Sequence, residues 1–244
     1  MCQRIRILPA EKGERSETMS NQVSDSAGVQ EISYPRFATF YNWLMDQPLV
    51  RRGFDPLRRE TVSQAHGIVL EVGAGGGQNF PFYEKSHVVR VEAVEPDETM
   101  LVHARQSLAA APVPIHLIQA PVEALPFPDE HFDSVVVALV FCSVRDPERG
   151  LREIWRVLKP EGHLVLLEHV RAHGKIAARI QDVLVPLSTR CMGNCHWNRD
   201  TGAMVRHTGF RATQVRQLSG GLQPMLLLHA TRSQTQEEMK ACKE

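Results

Sequence analysis

The sequence predicts an α/β fold: a mostly parallel sheet covered by helices on both faces. Three observations predict it. Short apolar runs alternate with amphipathic stretches from residue 68 onward, the pattern of strands joined by crossover helices. The first run, Ile68 to Val72, breaks into glycines. Ser134 to Val140 is almost unbrokenly apolar, as a central strand buried on both faces must be.

The elements follow in order. Ile68 to Val72, Val91 to Glu95, Ile115 to Gln119, Ser134 to Val140 and Leu164 to Glu168 read as five strands. Asp97 is placed to cap a helix with Met100, Leu101, Ala104 and Leu108 along one stripe. Asp146-Pro147 supplies a cap and a first-turn proline. That helix turns Leu151, Ile154, Trp155 and Leu158 inward and stops at Lys159-Pro160-Glu161-Gly162. Ile176, Ile180, Val183, Leu184 and Leu187 share helical spacing and read most simply as a core-facing helix, or as a border to an apolar pocket. Thr213 to Leu218 and Met225 to Ala230 close the sheet.

A chain of 244 residues suits one such domain and is short for two. We place it at 31–232, with a helical lid at 34–66. Residues 1–30 and 233–244 are poor in apolar periodicity and read as flexible tails, with Met19 an alternative start. Lys plus Arg and Asp plus Glu both number 28, so no net charge draws the chain toward nucleic acid or anionic lipid. No apolar run reaches the roughly 20 residues of a membrane span. Residues Met1 to Leu8 have no apolar run behind them, so no secretory signal is expected. An odd count of five cysteines fits a reducing cytoplasm.

The strongest local signal is Leu70-Glu71-Val72-Gly73-Ala74-Gly75-Gly76-Gly77. Glycine allows a sharp turn and lets a ligand lie against bare backbone. A dinucleotide site wants a third glycine where Gln78 stands. The acid Glu71 before the turn suits a ligand carrying an ammonium and a sulfonium and would repel a pyrophosphate. Glu95 ends the second strand and can accept both ribose hydroxyls of an adenosine. Pro96 and Met100 can pack beside the base. The loop Pro121-Val122-Glu123-Ala124-Leu125-Pro126-Phe127 can hold the adenine edge. Each signal has a plain alternative: a simple turn, a surface acid at Glu95, a turn cap at Glu123. The three in order on successive strands are far more specific than any one.

On LEVGAGGG, AVEPDETM, PVEALPFPDEHFDSVVVAL and REIWRVLKPEGHLVLLEH, the chain resembles the class I S-adenosylmethionine-dependent methyltransferases over roughly residues 34 to 232. The resemblance implies a Rossmann-like seven-stranded sheet of order 3-2-1-4-5-7-6, its seventh strand antiparallel, and S-adenosyl-L-methionine as cofactor. It implies cofactor contacts from Glu71, Gly73, Ala74, Gly75, Gly77, Asn79, Glu95, Pro96, Met100, Val122, Glu123 and Leu139. The loop often reads G-D-A-E in that family; here it is Ala120-Pro121-Val122-Glu123, so backbone contact from Val122 replaces a side-chain contact to adenine. VFCSV, LEHV, QDVLVPL and NCHWNRDT resemble the narrower methyltransferase-like group, which includes alkyl thiol S-methyltransferases. The N-terminal membrane anchor of its animal members has no counterpart here, so membrane association is not carried over. Asn42, where Asp is common, and Asn194, where Gly is common, depart from the pattern.

The acceptor should lie beyond the carboxyl ends of strands four and five. Phe141 and Cys142 end strand four, Glu168 and His169 end strand five, and Cys195, His196, Arg199 and Asp200 follow in a later insertion. His169, Cys142, Tyr41 and His196 are the catalytic candidates. Their bland readings are packing for Cys142, a structural hydrogen bond for His169 and lid packing for Tyr41. Arg199 and Asp200 read as an ion pair, Asp200 also as a helix cap. Cys191-x-x-x-Cys195-His196 holds three soft ligands, but no fourth is near in sequence and adjacent Cys and His seldom share one ion; no metal site is expected.

The expected function is methyl transfer to a small, fairly apolar molecule, a thiol first, with a quinone, sterol or phospholipid as the alternative. A nicotinamide-dependent oxidoreductase and a non-catalytic binder rank lower: Gln78 and Glu71 oppose the first, the intact glycines and Glu95 the second. Nucleic acid is disfavoured, since Asn/Asp-Pro-Pro-Tyr is absent after strand four and no basic patch with interleaved aromatics exists.

Overall fold

In a computed structural model of the chain, the described residues are 35–218 and 221–233. They belong to one compact unit. The tails expected at 1–30 and 233–244 lie outside them except for Ser233. Two helices come first, α1 (Pro35–Met45) and α2 (Pro48–Val62), in the segment expected to form a lid. Seven strands follow: β1 (Gly67–Val72), β2 (Val88–Val94), β3 (Ile115–Ile118), β4 (Phe132–Ala138), β5 (Leu158–His169), β6 (Phe210–Leu218) and β7 (Met225–Arg232). They form one sheet of order β3-β2-β1-β4-β5-β7-β6. The first five run parallel, and β7 runs antiparallel between β5 and β6. This is the expected Rossmann-like topology.

Alternation along β1 divides the core. Leu70 and Val72 join Val135, Val137, Leu151, Ile154 and Leu164 on one face. Val69 joins Val91, Ala93, Val136, Phe80 and Tyr83 on the other. Connecting helices α3 (Glu98–Ser107) and α4 (Pro147–Val157) start where polar caps dictate. Asp97 accepts the N–H of Met100 at 3.0 Å and Asp146 that of Arg149 at 2.9 Å. Both strand-to-helix turns are thereby fixed beside the carboxyl ends of the sheet.

Two expectations are corrected. The fifth strand begins at Leu158, directly after α4, because Lys159 to Gly162 continue in extended form. Helix α5 (Lys175–Cys191) does not face the core with its apolar stripe: Ile176 is 77% exposed, Val183 77% and Leu187 62%. Its docking group is polar. The buried Gln181 accepts the N–H of Ala172 at 2.8 Å and donates to the carbonyls of Val170, Trp197 and Leu222. A short helix α6 (Thr201–His207) is capped by Asp200, which accepts the N–H of Ala203 at 2.9 Å. No helix among the described residues is long and apolar enough to cross a membrane.

Candidate active site

A cavity of about 460 Å³ opens at the carboxyl ends of β1, β2, β4 and β5, beneath the lid helices, where an open α/β sheet binds its ligands. That volume is typical of a small-molecule site. Of the expected residues, Gly73, Ala74, Gly75, Asn79, Glu95, Pro96, Met100, Val122, Glu123, Leu139, Tyr41, Cys142 and His169 line it. Glu71, Gly77 and His196 do not.

The glycines have separate tasks. A Cβ on Gly77 would meet Phe80 and Ser107 at 2.7 Å, and one on Gly73 would meet Val140 at 2.5 Å. These two let the turn pack. A Cβ on Gly75 has only the tip of Gln78 nearby, at 3.4 Å. Gly75, at φ 54°, is the bare backbone that faces the cavity.

Glu95 is tied to that turn. Its carboxylate accepts the N–H of Gly75 at 2.9 Å and of Asp97 at 3.0 Å. Burial pushes its pKa up to about 7, against the pull of those two donors. Each oxygen keeps a further lone pair for a hydroxyl. On the neighbouring loop, Glu123 accepts the N–H groups of Arg145 and Asp146, both at 3.2 Å. Its carboxylate is engaged in a turn, while Val122 packs against the cavity.

Glu71 acts one layer back. It accepts from Asn79 Nδ2 at 2.9 Å and from the Tyr83 hydroxyl at 2.8 Å. Burial raises its pKa to about 7. Arg58 of α2, only 4% exposed, donates to Asn79 Oδ1 at 3.0 Å. The acid of the strand is therefore relayed through Asn79 to a lid cation. Nothing in the sequence singled out Arg58 among the arginines of α2. Asn42 of α1 is a second lid contact: it accepts from Gln78 at 2.8 Å and donates to Met100 Sδ at 3.1 Å.

In the same cavity the side chains of Cys142, His169 and Cys195 converge. The ligand atoms of Cys142, His169 and Cys195 all lie within 4.8 Å of one another. A hydrogen bond to Cys195, together with burial, pushes the Cys142 thiol well up, and the same bond pulls Cys195 down. Burial works against the His169 imidazolium, yet Cys142 and Glu168 beside it leave its pKa above the ordinary value. Burial likewise raises Tyr41, opposed by Arg58.

The turn carrying Cys142 is held from beneath. Glu168 Oε1 accepts the N–H groups of Val140 at 2.5 Å and Phe141 at 2.7 Å. The turn begins at Leu139, which has a φ of 61°. Arg199 does not serve as a partner of Asp200 here; it donates to the carbonyls of Phe141 at 2.5 Å and Val144 at 2.7 Å. His196 positions through its backbone, donating its N–H to the Cys142 carbonyl at 2.6 Å.

These residues fit an adenosyl sulfonium. A side-chain-free turn faces the cavity, an acceptor-only acid stands one strand over, and an apolar loop follows on the next. The class so defined is a Rossmann-like enzyme for a nucleoside ligand, not for a dinucleotide. Comparison with known proteins agrees. A family model described as "Methyltransferase domain" matches residues 70–166. The human thiol S-methyltransferase TMT1B is 30% identical over 198 residues, covering 74% of this chain and 79% of that protein. A phosphatidylethanolamine N-methyltransferase of Cereibacter sphaeroides is 38% identical over 128 residues, 50% of this chain and 62% of that protein. A ubiquinone/menaquinone biosynthesis C-methyltransferase of a Marinomonas species is 27% identical over 191 residues, 68% and 76%. In fold, the chain matches a Thermotoga maritima structure described as an S-adenosylmethionine-dependent methyltransferase, with a TM-score of 0.60, 22% identity and coverage of 82% and 98%. The chain belongs to the S-adenosylmethionine-dependent methyltransferases.

Proposed function

We propose that the chain methylates a small, fairly apolar acceptor, and that this acceptor is a thiol. The observation that supports it is the character of the cavity beyond Gly75. Phe37, Phe40, Tyr41, Leu44 and Phe54 line it from α1 and α2, and Cys142, His169 and Cys195 line it as well. A thiol suits such a place, being soft, and partly ionised near neutral pH with an ordinary pKa of about 8.5. The likeness to TMT1B across most of both chains points the same way.

When bound, S-adenosylmethionine supplies a methyl group already activated on a sulfonium. The chain's own residues have three tasks. Glu95 and Gly75 grip and place the nucleoside end. The lid helices exclude water and orient the acceptor, the main source of acceleration for such a reaction. His169, which lines the cavity with Cys142 and Tyr41, orients the acceptor thiolate. A reducing cytoplasmic setting fits the free thiols of Cys142, Cys191 and Cys195.

A panel of thiols, quinones, phenols, amines and phosphatidylethanolamine, offered with methyl-labelled cofactor, tests the proposal. Thiols should be methylated with the highest kcat/KM. Preference for a quinone or phospholipid would move the chain toward its other relatives and overturn the thiol assignment.

A further inference from the structure

We propose that Cys142, His169 and Cys195 form a binding site for one zinc ion, with its fourth position open to the acceptor. The occupant of that position rests on the thiol reading above; the metal site itself does not. Sequence spacing drew attention to a different trio, Cys191, Cys195 and His196. The fold instead draws its ligands from the ends of β4 and β5 and from the segment after α5.

Zinc bonds are about 2.3 Å to sulfur and 2.0–2.1 Å to nitrogen, so the ligand atoms of a tetrahedral site stand about 3.5–3.8 Å apart. The three atoms here already lie within 4.8 Å of one another, so closure needs displacements on the order of 1 Å. The backbone beneath each ligand is pinned. The Cys142 turn is fixed by Glu168 and by the His196 N–H. His169 pairs with Met225 at the end of β5. The Cys195 carbonyl accepts the Ser188 hydroxyl at 2.8 Å. Two thiolates and an imidazole are the donor set of catalytic zinc sites that keep one position open. They favour a soft ion over magnesium or calcium. Two thiolates also cancel the ion's charge, which a partly apolar cavity requires.

The open position points to a use. All three ligands line the same cavity as Gly73 and Gly75. An acceptor thiol bound to zinc loses its proton to water and stays a thiolate at neutral pH. Its sulfur lone pair forms the new bond to the methyl carbon. The sulfonium C–S bond breaks, and its electron pair remains on the sulfur of the homocysteine product. The methylated acceptor, now a neutral thioether, is a weaker ligand and leaves.

The full chain, purified free of metal under reducing conditions, is titrated with Zn²⁺ against a chromophoric chelator and with Co²⁺ followed by absorption. One equivalent should bind, and cobalt should show thiolate-to-metal charge-transfer bands. Cys142→Ser, Cys195→Ser and His169→Ala should each weaken zinc on the order of a hundredfold, while S-adenosylhomocysteine binding reports an intact fold. Cys191→Ser should keep wild-type zinc affinity. Absence of stoichiometric metal in the wild type, or wild-type affinity in either serine variant at positions 142 and 195, overturns the site. If a serine variant loses S-adenosylhomocysteine binding, the cobalt spectrum of the wild type decides: charge-transfer bands support the site and their absence overturns it. Thiol methylation by a chain that takes up no zinc sinks the metal and spares the thiol reading. A zinc-loaded chain that methylates quinones but not thiols does the reverse.

Discussion

The Glu95 carboxylate accepts the amide of Gly75 at 2.9 Å, so the acid at the tip of β2 and the glycine turn after β1 are one rigid piece. Removing the acid removes both a ligand acceptor and a brace. Glu95→Ala should lower S-adenosylhomocysteine affinity at least about tenfold, the loss of two charge-assisted hydrogen bonds. Calorimetry measures it; unchanged binding would place the sugar elsewhere.

The same carboxyl makes binding and stability depend on pH. Burial lifts its pKa from an ordinary 4.5 to about 7 in the folded chain. The folded state thus holds the proton more tightly than the unfolded one. That contribution to stability is fully present below pH 4.5 and is lost as pH rises through 7. Ribose hydroxyls favour the ionised form, so ligand binding releases a proton. S-adenosylhomocysteine affinity should rise between pH 6 and 8, with a binding enthalpy that follows the buffer's ionisation enthalpy. Glu95→Gln should flatten both dependences.

Gly75 and Gly77 should separate binding from folding. Gly77→Ala puts a methyl 2.7 Å from Phe80 and Ser107 at a φ of 82°, and should lower the melting temperature markedly. Gly75→Ala meets only a side-chain tip and should cost on the order of 1 kcal/mol from its left-handed backbone. Its larger effect should be on S-adenosylhomocysteine affinity. Equal melting temperatures for the two variants would contradict this division.

Arg58 should matter more than its place on an outer helix suggests. Arg58→Met strands Asn79 Oδ1 and removes a cation near the buried Glu71. A loss of about 1–3 kcal/mol is expected from urea unfolding, with weaker cofactor binding because Asn79 lines the cavity.

Helix α5 gives the opposite case. Val183 is apolar but 77% exposed, so Val183→Gln should change stability by no more than about 0.5 kcal/mol. Gln181→Leu, though more apolar, should destabilise by several times that, since it abandons one buried N–H and three carbonyls.

Local chemistry explains what could be read in advance. Asp97, Asp146 and Asp200 cap helices because a short acceptor before an amphipathic stretch has few other uses. Strands β1 and β4 are largely apolar on both faces, which suits only the middle of the sheet. The face of α5 was misread because spacing reports a stripe, not which side docks; an amide with four backbone partners, that of Gln181, docks instead of the aliphatic stripe. Glu71 lies one layer behind the cavity, where Asn79 and Tyr83 donate to its carboxylate, a pairing the sequence does not show. Sequence put Cys142, His169 and Cys195 on the acceptor side but did not show them as one ligand set, because Cys195 follows α5 and only the fold brings it to the ends of β4 and β5.

Helix α1 buries only Ala38 and Asn42. Phe37, Tyr41, Leu44 and Met45 are half-buried, and Asn42 adds side-chain hydrogen bonds with Gln78 and Met100. Swinging this helix aside at Asp46–Gln47 would uncover the apolar wall of the cavity but break no strand pairing. We expect ligands to come and go by such local opening, which costs less than global unfolding. In hydrogen exchange, the amides of α1 should trade with solvent well before those of β1 and β4.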